Sequence, residues 1–369
     1  MKLFGFLCSD LPNFINVSKG SPFVVEKWAT SKKDHFWEEY VNSSDFEEIS
    51  CCPACGGPLA PFTETETMEG ERGLATGYCP RDGLVVITRL KSSEWYNAHY
   101  QKNWLSRDPR TLHLTREKDD VITTPFLTID PMLKEKSKVL DIGCGAGFRL
   151  KAFQDAGYTV IGVEPSQIEA HRARQILDTD IHNQTAEQFF MKNTEKFDVI
   201  YFFNVLDFLS NPFHVLENAL NALNEGGLLY FRTGALFQRD LYQVAHFAPI
   251  RVHFSWLAVR QFFMNRNCQV KRLSNNGIEV LAKKVPDIAP LEIDENDEPV
   301  LIIKNYLSKQ LGTSKLTFRK RFKRSYSKFN RKWIVRYGGE RHDIKSDELN
   351  EILPIRFIHK KEKLPILLK

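Results

Sequence analysis

Two short stretches of the chain carry residue types at spacings that could do chemistry. The first is a run of cysteines. Cys52-Pro53-Ala54-Cys55-Gly56-Gly57 sets two thiols on a tight turn, with glycines that leave room for a metal. Cys79-Pro80-Arg81-Asp82-Gly83 repeats the pattern, with Asp82 where a zinc ribbon has its fourth cysteine. A carboxylate oxygen also ligates zinc. The best ligand set is therefore Cys52, Cys55, Cys79 and Asp82, with Cys51 as the substitute for the fourth. The alternative is a ribbon that keeps its turns and has lost its metal. A segment of ~40 residues would lose much of its stability with the ion. The chain has seven cysteines, four of them between Cys51 and Cys79. Met1–Cys8 holds a short apolar stretch and one lysine, so no secretory signal is expected. Without one, an odd, clustered set of cysteines reads as a metal site rather than a disulfide framework.

The second stretch is Val139-Leu140-Asp141-Ile142-Gly143-Cys144-Gly145-Ala146-Gly147. An apolar strand runs into glycines at alternate positions, and a helix follows. Such a loop turns tightly and lets backbone approach a ligand. A dinucleotide-binding loop would place its third glycine three residues after the second. Here Gly147 follows Gly145 by two, and no Lys-Ser/Thr pair makes this a P-loop.

The stretch resembles motif I of class I S-adenosylmethionine-dependent methyltransferases, and the resemblance runs along about 137–284. It implies a cofactor site made by Asp141, Gly143, Cys144, Gly145 and Gly147 at the loop. Glu164, ending Val160-Ile161-Gly162-Val163-Glu164, would accept both ribose hydroxyls, a task for an acceptor-only group with two oxygens. Ala186 and Glu187 would lie at the adenine. Asn204, after Phe197-Asp198-Val199-Ile200, matches motif IV, and Leu223-Asn224-Glu225-Gly226-Gly227 matches the turn into strand five. Methyl transfer is an in-line displacement that depends on positioning, with a base only where the acceptor loses a proton. Asp207 keeps a carboxylate where relatives carry Glu-His, and Phe208 stands in place of the His. His253 matches a His that relatives turn toward the acceptor. For Asp207 the competing role is a loop or helix-cap acid, and for His253 a structural histidine.

The elements that must position these groups alternate. Strands are predicted at Lys138–Ile142, Thr159–Val163, Ile181–Asn183, Phe197–Phe202, Gly227–Arg232, Gln269–Leu273 and Ile278–Lys283. The clearest helices are Gly147–Ala156, Pro165–Leu177 and Pro212–Leu223. Alternation predicts an α/β fold: a doubly wound, Rossmann-like seven-stranded sheet, with an antiparallel edge hairpin turning at Ser274–Gly277. The expected divisions are a lead-in (1–50) with a short helix near Lys33–Tyr40, a zinc-ribbon-like head with a connecting helix (51–120), and the cofactor domain (121–284). An acidic linker (285–300) and a basic helical tail (301–369) complete the chain.

The head, with Ser92–Tyr100 after it, is similar to cysteine-rich heads of deoxysugar and polysaccharide-pathway methyltransferases. That implies a sugar, a sugar nucleotide or a related small metabolite of a glycan pathway as acceptor. Some ribosomal RNA methyltransferases also begin with a zinc ribbon, so the head alone does not fix the substrate.

Charge divides the chain further. The net charge is +5, yet residues 301–369 carry 19 Lys and Arg against 6 Asp and Glu, leaving −8 on the first 300. Phe318, Phe322, Tyr326, Phe329, Trp333 and Tyr337 recur at helical spacing, with ten Lys and Arg between Lys315 and Arg336. Three readings stay open: a packed helix with solvated charges, an interfacial helix on an anionic membrane, and a contact for RNA or DNA phosphates. No apolar run reaches the ~18–20 residues of a membrane span. The expected location is cytoplasmic, with a peripheral position at the inner membrane surface as the variant. The first alternative function is an RNA methyltransferase that uses the basic tail for phosphate contacts, and the second is a non-catalytic S-adenosylmethionine-binding scaffold at a membrane.

Overall fold

A computed structural model describes residues 23–29, 46–66, 72–92, 94–96, 98, 119–239, 244, 250–264, 266–274, 277–286, 302–303, 305–306 and 355–361. The chain divides into two compact units. One comprises residues 1–91, 239–257 and 294–369; the other comprises 92–238 and 258–293. The units therefore do not follow the linear divisions read from the sequence. Residues 239–257, expected inside the cofactor domain, belong with the cysteine-rich head.

The strands of the head unit are β1 (Phe23–Ala29), β2 (Phe46–Glu48), β3 (Ala60–Glu66), β4 (Arg72–Tyr78), β5 (Val85–Ile87), β6 (Arg89–Lys91), β12 (Val252–His253) and β15 (Ile355–Lys361), numbered in chain order. Six of them form one sheet in the order β1-β15-β3-β4-β5-β12, and β2 pairs with β6 apart from it. β15 runs parallel to both its neighbours, while β3, β4, β5 and β12 are antiparallel in turn. Phe62, Leu74, Leu84 and Val85 are fully buried, and Phe62 packs its ring against Tyr78 and Tyr306. The tail thus departs from its expected helical character: residues 355–361 are a strand of the head sheet. The aromatic and basic stretch 315–336, the helix expected near residues 33–40 and most of the linker lie outside the described residues.

The second unit matches its sequence pattern closely. Its strands are β7 (Lys138–Ile142), β8 (Thr159–Val163), β9 (Ile181–His182), β10 (Phe197–Phe203), β11 (Leu223–Thr233), β13 (Cys268–Arg272) and β14 (Ile278–Lys284). They form a mixed seven-stranded sheet ordered β13-β14-β11-β10-β7-β8-β9. The strands from β11 to β9 in that order are parallel, and β14 and β13 close the edge as an antiparallel hairpin. The long apolar runs of β7 and β10 suit strands covered on both faces.

Helices α1 (Asp119–Ile129), α2 (Phe148–Asp155), α3 (Gln167–Ile176), α4 (Ala186–Lys192) and α5 (Pro212–Ala222) fall between the strands or before them, and α6 (Trp256–Phe263) precedes β13. Their starts are written in the sequence. Ser166 caps α3, Thr185 and Gln188 form a reciprocal capping box on α4, and Asn211 caps α5 just before Pro212. Beneath α1 and α2, Phe153 stacks on Tyr201 and meets Phe126 edge-on. Asp198 fixes the opposite end of the sheet. Its carboxylate accepts from the Lys138 backbone N–H and from the Asn224 amide, both at 2.8 Å.

Candidate functional site

Parallel strands deliver their following loops to one edge of the sheet, and ligands bind there in open α/β folds. The expected cofactor residues of the second unit collect along that edge. The glycine loop follows β7, Glu164 follows β8, Ala186 and Glu187 open α4 after β9, and Asn204 follows β10. Gly145 has φ +55°, and a Cβ there would meet nothing within 4 Å. The loop is therefore open at its centre, as close approach to a ligand requires. Gly143 and Gly147 instead pack tightly, against Val205 and Leu177. Cys144 is buried, with Sγ against the backbone of Gly162. Burial pushes its thiol well above the ordinary range, so it fills space below the loop rather than reacting.

Glu164 is 8% exposed and held from both sides. Its Oε2 accepts from the Gly145 N–H at 2.9 Å, and Oε1 accepts from the Ser166 N–H at 2.8 Å. Each oxygen keeps a further lone pair for a vicinal diol. Burial pushes the carboxyl up to about 7, against the pull of the Ser166 and Gly145 donors. The Asn183 side chain donates to the carbonyls of Glu164 and Pro165 at 2.9 Å and so fixes the corner. Asn204 takes the left-handed conformation, φ +59°, while its N–H donates to the Arg232 carbonyl at 2.7 Å. A non-glycine residue in that conformation is uncommon, and Asn is among the types that accept it best.

Asp141 is also buried. Its Oδ2 accepts from the Tyr201 hydroxyl at 2.7 Å, and Oδ1 has no hydrogen-bond partner among the described residues. Burial pushes this carboxyl up to about 7, offset in part by Tyr201 and by the Arg149 guanidinium. Arg149 lies over the Phe203 ring, 4.1 Å from its centroid. Reading the sequence did not find Tyr201 or Arg149. The available signal was a lone tyrosine in the otherwise apolar run Val199–Phe203, and it lies directly across from Asp141 in register.

The two candidate bases separate. Asp207 is buried in the 3-10 turn Leu206–Phe208 that follows β10, within the same unit as the cofactor residues. His253 belongs to the head unit, on β12 opposite Val85. It is fully buried, and neither ring nitrogen has a hydrogen-bond partner among the described residues. Burial, with the nearby Arg239 charge, holds its pKa well below the ordinary range, so the imidazole is neutral.

In the head unit the two cysteine turns come together. The ligand atoms of Cys52, Cys55, Cys79 and Asp82 all lie within 4.8 Å of one another. The turns are built alike. Cys52 Sγ accepts from Ala54 N–H and Cys79 Sγ from Arg81 N–H, both at 3.4 Å. The carbonyls of Cys52 and Cys79 accept from Gly56 and Gly83, and both glycines have φ +69°. Asp82 Oδ1 accepts from Leu84 N–H at 2.9 Å, which leaves Oδ2 facing Cys52 Sγ at 3.2 Å. Cys51 is exposed, its Sγ beside Ser50 Oγ, and stands outside the cluster. The Cys79 contact, burial and the Asp82 charge hold the Cys52 thiol far above its ordinary range. Burial raises Cys55 to about 11.

Comparison with known proteins agrees with this geometry. Residues 113–270 match the family model described as a methyltransferase domain. The ubiquinone biosynthesis O-methyltransferase of Actinobacillus pleuropneumoniae serotype 5b is 34% identical over 105 residues, 26% of this chain and 45% of that protein. The protein of the same name from Caulobacter sp. is 30% identical over 122 residues, 32% of this chain and 45% of its own length. The chain thus spans about half the length of the curated relatives it matches. A solved structure of a plantazolicin methyltransferase in complex with SAH aligns over 52% of this chain and 96% of that one, at 15% identity and a TM-score of 0.40. Residues 113–270 thus carry the match to a methyltransferase domain, on an α/β fold whose mixed sheet has seven strands.

Proposed function

We propose that the chain transfers a methyl group from S-adenosylmethionine to a small-molecule acceptor. The observation that carries this reading is the Gly145–Glu164 pair, an open glycine loop joined to a buried carboxylate with lone pairs to spare. In this reading Glu164 binds the ribose hydroxyls, Asp141 Oδ1 receives the methionine ammonium, Asn204 lines the methyl-bearing end, and Ala186 and Glu187 border the adenine. The sulfonium supplies the leaving group, so the residues orient rather than activate it. Asp207 is the candidate base for an acceptor hydroxyl; His253, neutral and buried in the head, is the second.

The acceptor class narrows less. A sugar or sugar nucleotide follows from the resemblance of the head, and the comparisons add no support for it. The curated relatives carry names for O-methylation in ubiquinone biosynthesis, which favours a hydroxyl acceptor of another kind. Incubating the full chain with radiolabelled S-adenosylmethionine and two panels, sugar nucleotides and catechol-type phenols, tests both. Label moving only into phenols would discard the glycan assignment; no transfer to either panel, nor to RNA as a third, would leave the binding scaffold as the better reading.

The head holds a structural zinc ion in this proposal, with Cys52, Cys55 and Cys79 as thiolates and Asp82 Oδ2 as the fourth ligand. Three thiols and a buried carboxylate around one point repel one another when ionised and fit a divalent cation. The N–H groups of Ala54, Arg81 and Leu84 orient the ligands, as outer partners do in metal sites. No helix among the described residues is long and apolar enough to cross a membrane.

A further inference from the structure

We infer that Tyr201 is a positioning residue for the cofactor's amino-acid end, acting through Asp141. The inference rests on the cofactor reading above and adds to it a residue outside the loop. A buried carboxylate with no donors would take up a proton and turn freely. Here one oxygen is occupied: Tyr201 donates to Oδ2 from the adjacent strand, at 2.7 Å. The other, Oδ1, is buried and receives no donor among the described residues. A buried acceptor left this way beside a hydrogen-bonded one marks a place for an incoming donor. At the end of β7, beside the glycine loop, the matching donor is a primary ammonium.

The hydroxyl itself is held rigidly. Phe153 stacks on the Tyr201 ring with centroids 5.6 Å apart, and Tyr201 is fully buried between β7 and β11. Burial and the Asp141 charge keep the phenol protonated, so it remains a donor. The charged and titratable groups around Asp141 are Tyr201 from β10, Arg149 from α2, Glu164 from the end of β8 and the Cys144 thiol of the glycine loop. Tyr201 and Arg149 favour the ionised carboxylate, and Glu164 opposes it. Of the two favourable groups, only Tyr201 makes a hydrogen bond to the carboxylate and so fixes which oxygen faces the ligand.

Calorimetry on the full chain tests this with two probes. S-adenosylmethionine carries the amino-acid end, and 5′-methylthioadenosine lacks it. For Tyr201→Phe the expected result is about a tenfold loss of affinity for S-adenosylmethionine. Affinity for methylthioadenosine stays unchanged, and the pH midpoint of S-adenosylmethionine binding moves upward. In an Asp141→Asn background the same substitution should add nothing. Equal weakening of both probes would reveal a merely structural tyrosine and overturn the inference, as would no weakening of either. A Tyr201→Phe protein that fails to fold is replaced by Asp141→Asn alone, which must show the same selective loss. Wild-type protein that binds neither probe would overturn the cofactor reading itself.

Discussion

The two units hold buried acids in opposite ways. In the head, three thiols and a carboxylate face one another, and the backbone donors around them supply no full positive charge. In the methyltransferase unit, each acid is partly satisfied from within. Glu164 receives two backbone N–H groups, and Asp141 receives a tyrosine hydroxyl with an arginine nearby. In the proposed reading the head cluster depends on a zinc ion to hold its four ligands together, whereas Glu164 and Asp141 already have protein donors. On that proposal one site is part of folding and the other is kept for binding.

The largest effect should come from the head. Stripping the metal with a strong chelator, or Cys79→Ser, should cost on the order of 10 kcal/mol at most. A low-temperature unfolding transition should appear in calorimetric scans while the other unit's transition stays in place. One zinc per chain in the purified protein is the companion measurement. A chain that unfolds identically with and without chelator would erase the contrast between the units.

Next is Glu164→Ala, which removes the proposed acceptor of the two ribose hydroxyls. Charged hydrogen bonds contribute about 1.5–3 kcal/mol each, so cofactor affinity should fall at least a hundredfold by titration calorimetry. Thermal stability should change far less. Equal affinity in both proteins would refute the assignment.

A smaller effect follows from protonation. Burial raises Asp141 and Glu164 to about 7 in the ligand-free protein. A cationic ligand favours the ionised forms, so binding near pH 7 must expel protons. Affinity should rise from pH 6 to 8 and level off above, and fall as pH drops through 7. Calorimetry in buffers of different ionisation enthalpy would count the protons released. A flat profile would mean that neither acid meets the ligand's charge.

The smallest effect is local. Thr185→Ala removes the cap of α4 and should cost about 1 kcal/mol by denaturant unfolding. Because Ala186 and Glu187 open that helix, cofactor affinity should fall only slightly. A loss as large as that of Glu164→Ala would make the helix start a principal contact.

Much of the methyltransferase unit was legible because its signals are local. β7 and β8 begin and end where apolar runs and glycines say they should, and helices start at Ser166, Thr185 and Asn211 because those side chains cap them. The paired cysteine turns were legible for the same reason. What escaped was non-local. Nothing in Ile355–Lys361 names β1 and β3 as its partners, and nothing near His253 announces that its strand joins β5. Tyr201 escaped because its role depends on register with Asp141, sixty residues earlier, which periodicity alone does not give.

β15 lies between β1 and β3, parallel to both. On a ribosome this strand is made some three hundred residues after the strands that flank it. The methyltransferase unit can therefore collapse while the head sheet still lacks its second strand. During that interval β1 and β3 present open edges, the kind of surface on which nascent chains misassociate. The early cysteine turns then take on a further role. By gathering a metal as soon as Asp82 emerges, they would hold the head's first half together until its last strand is synthesised.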